Sequence, residues 1–468
     1  MNRYLALIIA VLSGAELNAF QLAPRLVVNI TIDQLRTDYL DAFTPLYNAD
    51  GFRKLLGKGM VYEAASYPFE PVDRATATAT IATGTTPYYH GIIGNRWLDR
   101  STLRPLFCVD DPQHFASPHR LMTSTFGDEL KVSSHGAAII WSVAASKECA
   151  ILSAGHAADG ALWIDDNNTR WRTSTYYSAV TPEWLKTAST IKEELTKNKQ
   201  LTNDVVVSMA LQVVSNTAMG KDDVSDLLSV TLSSTKPGGN MTDWQTEMES
   251  VYMQLDNSLS RLVTGIEKAV GSDRVLFVVT STGYADDSES DLSQYRIPTG
   301  TFYINRTANL LNMFLSAIYG QGRYVETCFG NEMYLNRKLI EEKRISTSEL
   351  LQRSQDFLVQ NAGVADVYTA ERLLAGNNDI LKLRNGFSPI LSGDIIIKVS
   401  PGWRLLNEDT QETFTSRTGF IPFPIIFYGA GTHAEKITLP VSVDRIAPTI
   451  AKCIRIRAPN ACTAEPLF

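Results

Sequence analysis

Histidine is scarce. Six histidines serve 468 residues, and none lies between His156 and His433. The five cysteines, Cys108, Cys149, Cys328, Cys453 and Cys462, show no CxxC spacing, which excludes a zinc ribbon or a thioredoxin-like motif. Their odd number leaves at least one thiol without an intrachain partner, and in an oxidising compartment Cys453 and Cys462 are near enough to bridge a short terminal loop. Positive charge is also short: 43 Lys and Arg against 50 Asp and Glu give a formal net charge of −7, with no basic run of five. A non-specific nucleic-acid binder needs a basic face to neutralise phosphates, so that class is excluded. No Gly-x-Ser-x-Gly elbow, P-loop or Gly-x-Gly-x-x-Gly fingerprint occurs, which leaves serine-esterase and nucleotide-cofactor chemistry without support. Beyond the N-terminus no stretch reaches the ~18 apolar residues that span a bilayer. No repeat period and no low-complexity linker is present.

What the chain has is enough apolar material for a large core, at 44% apolar and 20% charged residues. Its length suits one large α/β domain or two lobes. Met1-Asn2-Arg3 followed by the apolar run Tyr4 to Ala15 and the small-residue site Leu17-Asn18-Ala19 predicts a signal peptide over residues 1–19. The mature chain, 20–468, is then exported to a periplasmic or extracellular space. No cysteine follows the cleavage site, so no lipid anchor is indicated.

Short apolar runs rich in β-branched residues alternate with helical stretches. Arg25 to Ile32, Ala137 to Val143, Leu227 to Leu232, Val275 to Thr280 and Pro424 to Tyr428 are apolar on both faces, as central parallel strands covered by helices require. Leu201 to Met219 and Asp243 to Val270 have helical length and period. The pattern predicts α/β architecture with a mainly parallel central sheet flanked by helices. From about Gln294 to Lys398 the texture changes, and Gly300 to Ile304 and Asp394 to Val399 read as strands of a smaller inserted α+β lobe.

Ligands of open α/β sheets sit beyond the carboxyl ends of the strands. Asp33, Ser234-Thr235-Lys236 and Ser281-Thr282 occupy such ends. Arg74 to Gly84 (RATATATIATG) reads as a helix starting after a turn at Pro71-Val72-Asp73. The stretch Ala79 to Pro87 (ATIATGTTP), with His90 to Trp97 (HGIIGNRW), closely resembles the nucleophile region of the alkaline phosphatase superfamily. It looks most like bacterial alkaline phosphatases and nucleotide pyrophosphatase/phosphodiesterases that use a threonine nucleophile. Ala150 to Ala157, Ser392-Gly393-Asp394 and Ile426 to Gly429 resemble the same group, in order, from about Arg25 to the C-terminus.

The resemblance implies an alkaline-phosphatase-like fold and a site with two zinc ions, one activating the threonine and one polarising the phosphate. Caging two dications takes several carboxylates and imidazoles. Asp33 matches the family's first aspartate ligand. The nucleophile position falls on Arg74, whose guanidinium stays protonated and cannot attack phosphorus. The Ser-Thr-Asp and following His of the family become Ser234-Thr235-Lys236 and Asn240. The next Asp-His pair becomes Thr282-Gly283, and the last histidine falls near Thr413. A phosphate-contacting Lys-x-Arg falls on Ser146-Lys147-Glu148, whereas Asn95 matches a phosphate-contacting asparagine. One metal ligand in six is retained, and every family histidine ligand belongs in the interval that holds no histidine.

The resulting expectation is an exported, non-catalytic relative with no metal cofactor and a binding or assembly role, its partner being another protein or a small anion. Its ligand-facing residues are Asp33, Arg74, Asn95, Lys236, Asn240 and Thr282, with Arg74 and Lys236 replacing the positive charge of zinc. Asp33 then needs one of these two cations as partner, unless it merely caps a helix from residue 34 onward. The alternative is a phosphoric- or sulfuric-ester hydrolase with a rebuilt site, drawing on Asp286, Asp287 and Glu289. His90 and His156 are expected to serve packing or turn hydrogen bonds.

Overall fold

The computed structural model describes residues 23–165, 170–178, 182–188, 191, 202–235, 244–284, 297–376, 378–415 and 421–468. The predicted signal peptide, Lys236, Asn240, Asp286, Asp287 and Glu289 lie outside them. The architecture is α/β, built on a ten-stranded sheet flanked by helices. Its principal strands are β1 (Leu26–Asp33), β2 (Met60–Ser66), β3 (Ile140–Ala144), β4 (Gly160–Ile164), β5 (Asp226–Ser233), β6 (Val275–Ser281) and β7 (Phe423–Gly429). They run in the order β2-β7-β6-β1-β5-β3-β4, with short strands at both edges.

β1 sits at the centre, parallel to β5 and β6, and all eight of its residues are buried. Parallel strands covered on both faces must be apolar on both, which explains the unbroken hydrophobic runs. The expectation of a parallel strand at Pro424 to Tyr428 is corrected: β7 is antiparallel to both β6 and β2. It follows the long excursion through the second lobe, and apolarity on two faces reports burial without fixing direction.

Side chains alternate across β1. Leu26, Val28, Ile30 and Ile32 join the core beneath α3 (Thr202–Asn216) and α4 (Trp244–Val270). Val27 joins the opposite core, built with α1 (Arg74–Thr83) and α2 (Lys147–Ala154). Because strand side chains repeat every two residues, Asp33 falls on the Val27 face, toward α1 and α2. α1 begins after Asp73, whose carboxylate accepts the Thr76 N–H at 2.9 Å while the Thr76 hydroxyl bonds back to the Asp73 N–H. Every residue of α1 after Arg74 is buried, and its Ala/Thr composition lets the backbone lie close against the sheet.

A second lobe carries its own core around Leu311, Leu350 and Ile397. One small sheet joins Gly300–Tyr303, Trp403–Asn407 and Glu412–Thr415; another joins Val325–Phe329, Glu332–Leu335, Ile395–Val399 and Val364–Thr369. The strands of this lobe thus continue past Lys398 to Thr415. Its helices include α5 (Ile304–Tyr319), α6 (Arg337–Glu342), α7 (Thr347–Leu358) and α8 (Ala370–Ala375). All five cysteines are free thiols, so the bridge considered between Cys453 and Cys462 is not formed. Cys453 ends a C-terminal helix, whereas Cys462 directs its thiol toward the Ala464 carbonyl, and sequence proximity did not align them. Among the described residues no helix is long and apolar enough to cross a membrane.

Gly84 closes α1 at φ 67°, and a Cβ there would stand 3.1 Å from both the Ala447 Cβ and the Asp444 carbonyl. Left-handed backbone and crowding act together, so Gly84→Ala is expected to lower stability by more than ~1 kcal/mol. Urea unfolding should show a lower midpoint at unchanged slope.

Candidate functional site

The site forms where the carboxyl ends of β1, β5 and β6 meet the N-terminal ends of α1 and α2. Asp33 ends β1 with its side chain buried and is engaged from every side. Arg74 donates to its Oδ2 from Nε at 3.0 Å and from Nη2 at 2.8 Å. The Thr282 hydroxyl donates to Oδ1 at 2.8 Å and accepts the Gln34 N–H at 2.9 Å. The Ser234 N–H and hydroxyl both donate to the Asp33 carbonyl, at 3.0 and 2.9 Å. Asp33 does not cap a helix: the next one starts at Thr37, after Arg36, and has no side-chain cap.

Arg74 is the first residue of α1, and its remaining Nη1 donates to the buried Glu148 carboxylate at 3.2 Å. One guanidinium therefore links two acids, one from a strand end and one from the first turn of α2. Burial works against the Arg74 charge, but the Asp33 carboxylate, helped by Glu148, holds it above its ordinary pKa. Around the cluster, the Tyr67 hydroxyl donates to the Ser281 carbonyl at 2.8 Å, and Cys149 lies 3.6 Å from the Thr78 hydroxyl. Burial pushes the Cys149 thiol up to about 12, so it is not a nucleophile at neutral pH.

Of the six residues expected to face a ligand, the structure brings Asp33, Arg74 and Thr282 into direct contact. Asn95 is tied in one step removed: its N–H donates to Asp73 Oδ2 at 2.6 Å, and its Oδ1 is buried with no hydrogen-bond partner among the described residues. Lys236 and Asn240 fall outside those residues. Thr413 is exposed on the outer strand of a lobe sheet and makes no bond to Asp33. Glu148 is the residue that sequence reasoning missed. The resemblance places a phosphate-contacting arginine there, and an acid in its stead alongside a new arginine at 74 is itself a signal of pairing.

Among the described residues, the side chains around Asp33 do not suit the two zinc ions that the resemblance implies. Both Asp33 oxygens are committed to donors, and a cation stands beside one of them. Among the described residues no group of three or more His, Cys, Asp or Glu is arranged to hold a metal ion.

The two histidines in family-like motifs have other work. His90 is buried, with Nδ1 accepting the Ile92 N–H at 3.1 Å and Nε2 3.1 Å from the Thr80 hydroxyl. His156 bridges Asp128 Oδ2 and the Leu121 carbonyl, both at 3.0 Å. Burial lowers the His90 pKa from 6.5 to about 3, whereas the bond to Asp128 raises that of His156 above 6.5. Nuclear magnetic resonance titration should find His90 neutral through pH 5 and His156 still protonated above 6.5. Their linkage signs are opposite. The His156 contribution is complete below pH 6.5 and fades as pH rises through its folded pKa, while the His90 contribution is complete above 6.5 and fades as pH falls toward 3.

Removing Arg74 leaves two buried carboxylates unpaired. Arg74→Ala is expected to cost about 3–5 kcal/mol, and Arg74→Lys less, since an ammonium keeps the charge but lacks the fork. Adding Asp33→Asn to Arg74→Ala should recover part of the loss, so that urea unfolding of the double mutant shows less than the sum of the single effects.

Comparison with known proteins agrees with this topology. The family model described as type I phosphodiesterase / nucleotide pyrophosphatase matches residues 27–420. Alkaline phosphatase PafA of Elizabethkingia meningoseptica is 24% identical, with 98% of this chain and 97% of that protein covered. Alkaline phosphatase PhoV of Synechococcus elongatus is 25% identical, with 93% and 91% covered. The crystal structure of PafA superposes with a TM-score of 0.83 at 23% identity, covering 95% of this chain and 98% of that one. This chain belongs to the type I phosphodiesterase / nucleotide pyrophosphatase family, on an alkaline-phosphatase-like fold.

Proposed function

We propose that the protein is a non-catalytic member of this family, exported and working by binding or assembly. The observation that carries the reading is the Arg74 guanidinium, ion-paired to Asp33 at 2.8 Å and to Glu148 at 3.2 Å, at the position where the resemblance requires a nucleophile. A permanently protonated group has no lone pair to offer phosphorus. Among the described residues one cation stands between two carboxylates, a net negative cluster that disfavours a small anion there and turns the binding role toward a protein partner. Export rests on the N-terminal pattern of a charged start, an apolar run and a small-residue cleavage site.

A second reading has its own support. PafA and PhoV, each matched over more than nine-tenths of this chain, carry the name alkaline phosphatase, which favours a hydrolase with a rebuilt site. Metal analysis of the purified chain, with aryl phosphomonoester, phosphodiester and sulfate ester assays in added zinc, separates the two. The expected result is substoichiometric zinc and no turnover above the metal-only blank. Tightly held zinc near two ions per chain, with turnover abolished by Asp33→Ala, would overturn the non-catalytic reading and establish the hydrolase.

A further inference from the structure

The face of the central sheet that looks toward α1 and α2 is not apolar throughout. Asn29 of β1, Ser229 of β5 and Ser142 of β3 stand in one row: Asn29 is the register partner of Ser229, and Ser229 of Ser142. All three project to the same side. Val27, Leu227 and Ile140, each two residues earlier, join the core shared with α1 and α2, and strand side chains repeat every two residues. The row is at most 2% exposed. Asn29 Oδ1, Ser229 Oγ and Ser142 Oγ are buried and have no hydrogen-bond partner among the described residues. None of the three touches the Arg74 cluster, which lies at the carboxyl ends of these strands, beyond Asn29 along β1.

A buried polar atom without a partner carries the full cost of leaving water, and here three such atoms lie side by side. The spacing of the strands says how they can be satisfied. Neighbouring strands lie ~4.8 Å apart, too far for side chains rising in parallel to bond directly. Two hydrogen bonds of ~2.8 Å meeting at a tetrahedral angle span roughly 4.6 Å. One water between each neighbouring pair therefore fits where direct contact fails. The Asn29 oxygen only accepts, whereas the serine hydroxyls can donate or accept, so both bridges can be completed. Small residues leave room for them: Ala144 and Ala161 adjoin the row on the sheet, and Cys149 and Ala150 lie on α2, which packs across β3 and β5. Three neutral oxygens strung along a line do not converge on a point, so the row is not shaped to coordinate a single cation.

We infer that this row is a binding site for two ordered water molecules. One bridges Asn29 Oδ1 and Ser229 Oγ, and the other bridges Ser229 Oγ and Ser142 Oγ. Both exchange with solvent past Thr31 and Thr231, which continue the polar strip toward Asp33; Thr231 is 8% exposed.

Ser229 serves both waters, which makes the sign of one substitution decisive. Ser229→Ala is expected to lower the urea midpoint, because each water loses a partner. A dry row predicts the opposite sign, since the same change removes an orphaned hydroxyl. Oxygen-17 relaxation dispersion of the full chain should count two more long-lived internal waters than in Asn29→Leu/Ser142→Ala/Ser229→Ala, and the single variant carries the test if the triple variant does not fold. The urea midpoint of the unaltered chain should not change when sodium or potassium chloride is replaced by choline chloride at equal ionic strength. A midpoint raised or unmoved by Ser229→Ala, an unchanged water count in a folded triple variant, or dependence on sodium or potassium would each overturn the inference, the last in favour of a bound monovalent cation.

Discussion

A carboxylate at the buried end of a central strand has to be neutralised, and the folded chain is organised around how Asp33 meets that demand. Withdrawing one ion from water costs several kcal/mol after relaxation. Attraction between unit charges at ~4 Å returns on the order of 4 kcal/mol at an effective dielectric near 20. The margin is small, so geometry decides it. Arg74 supplies two donors to one Asp33 oxygen and a third to Glu148, Thr282 takes the other Asp33 oxygen, and no acid in the cluster is left without a donor.

The position of Arg74 makes this arrangement less obvious than it looks. It is the first residue of α1, and a cation in the first turn faces the positive end of the helix dipole, typically losing 0.3–1 kcal/mol. Three nearby acids offset that penalty. Asp73 caps the helix and accepts the Asn95 N–H, while Asp33 and Glu148 bind the guanidinium itself. The same Asp73 therefore fixes the start of α1, the Gly-Asn turn and the point from which Arg74 reaches inward. The Ala/Thr face of α1 then sets how near the sheet that point lies.

Much of this was legible in the sequence. Apolar runs gave the central strands to within a few residues, the turn at Pro71-Val72-Asp73 gave the start of α1, and the demand of Asp33 for a cation narrowed its partner to Arg74 or Lys236, of which the structure places Arg74 on it. Three features were not legible, each for a physical reason. Strand direction at Phe423–Gly429 is set by the excursion through the second lobe, and burial on two faces looks the same in either direction. A helix cap at Asp33 was plausible because strand ends and caps favour the same residue; three residues of non-helical backbone decide between them. Glu148 is not legible at its own position, because compensation is a property of pairs and its partner lies 74 residues away.

That pair carries the physical case further than any single replacement. The resemblance implies a neutral hydroxyl at position 74 and an arginine at position 148, with zinc supplying the remaining positive charge. Here the arginine stands at 74 and an acid at 148, so the cation has changed sides and brought a carboxylate partner with it. Either change alone would be unfavourable: Arg74 opposite an arginine would repel it, and Glu148 opposite a threonine would be a buried acid without a counter-charge. Together they form a bonded unit, closed by side chains on three separate elements. A site that had merely lost its metals would expose uncompensated acids to solvent or fill with water. On the proposed non-catalytic reading, the satisfied ionic core is what a fold retained for its surface and its lobes requires.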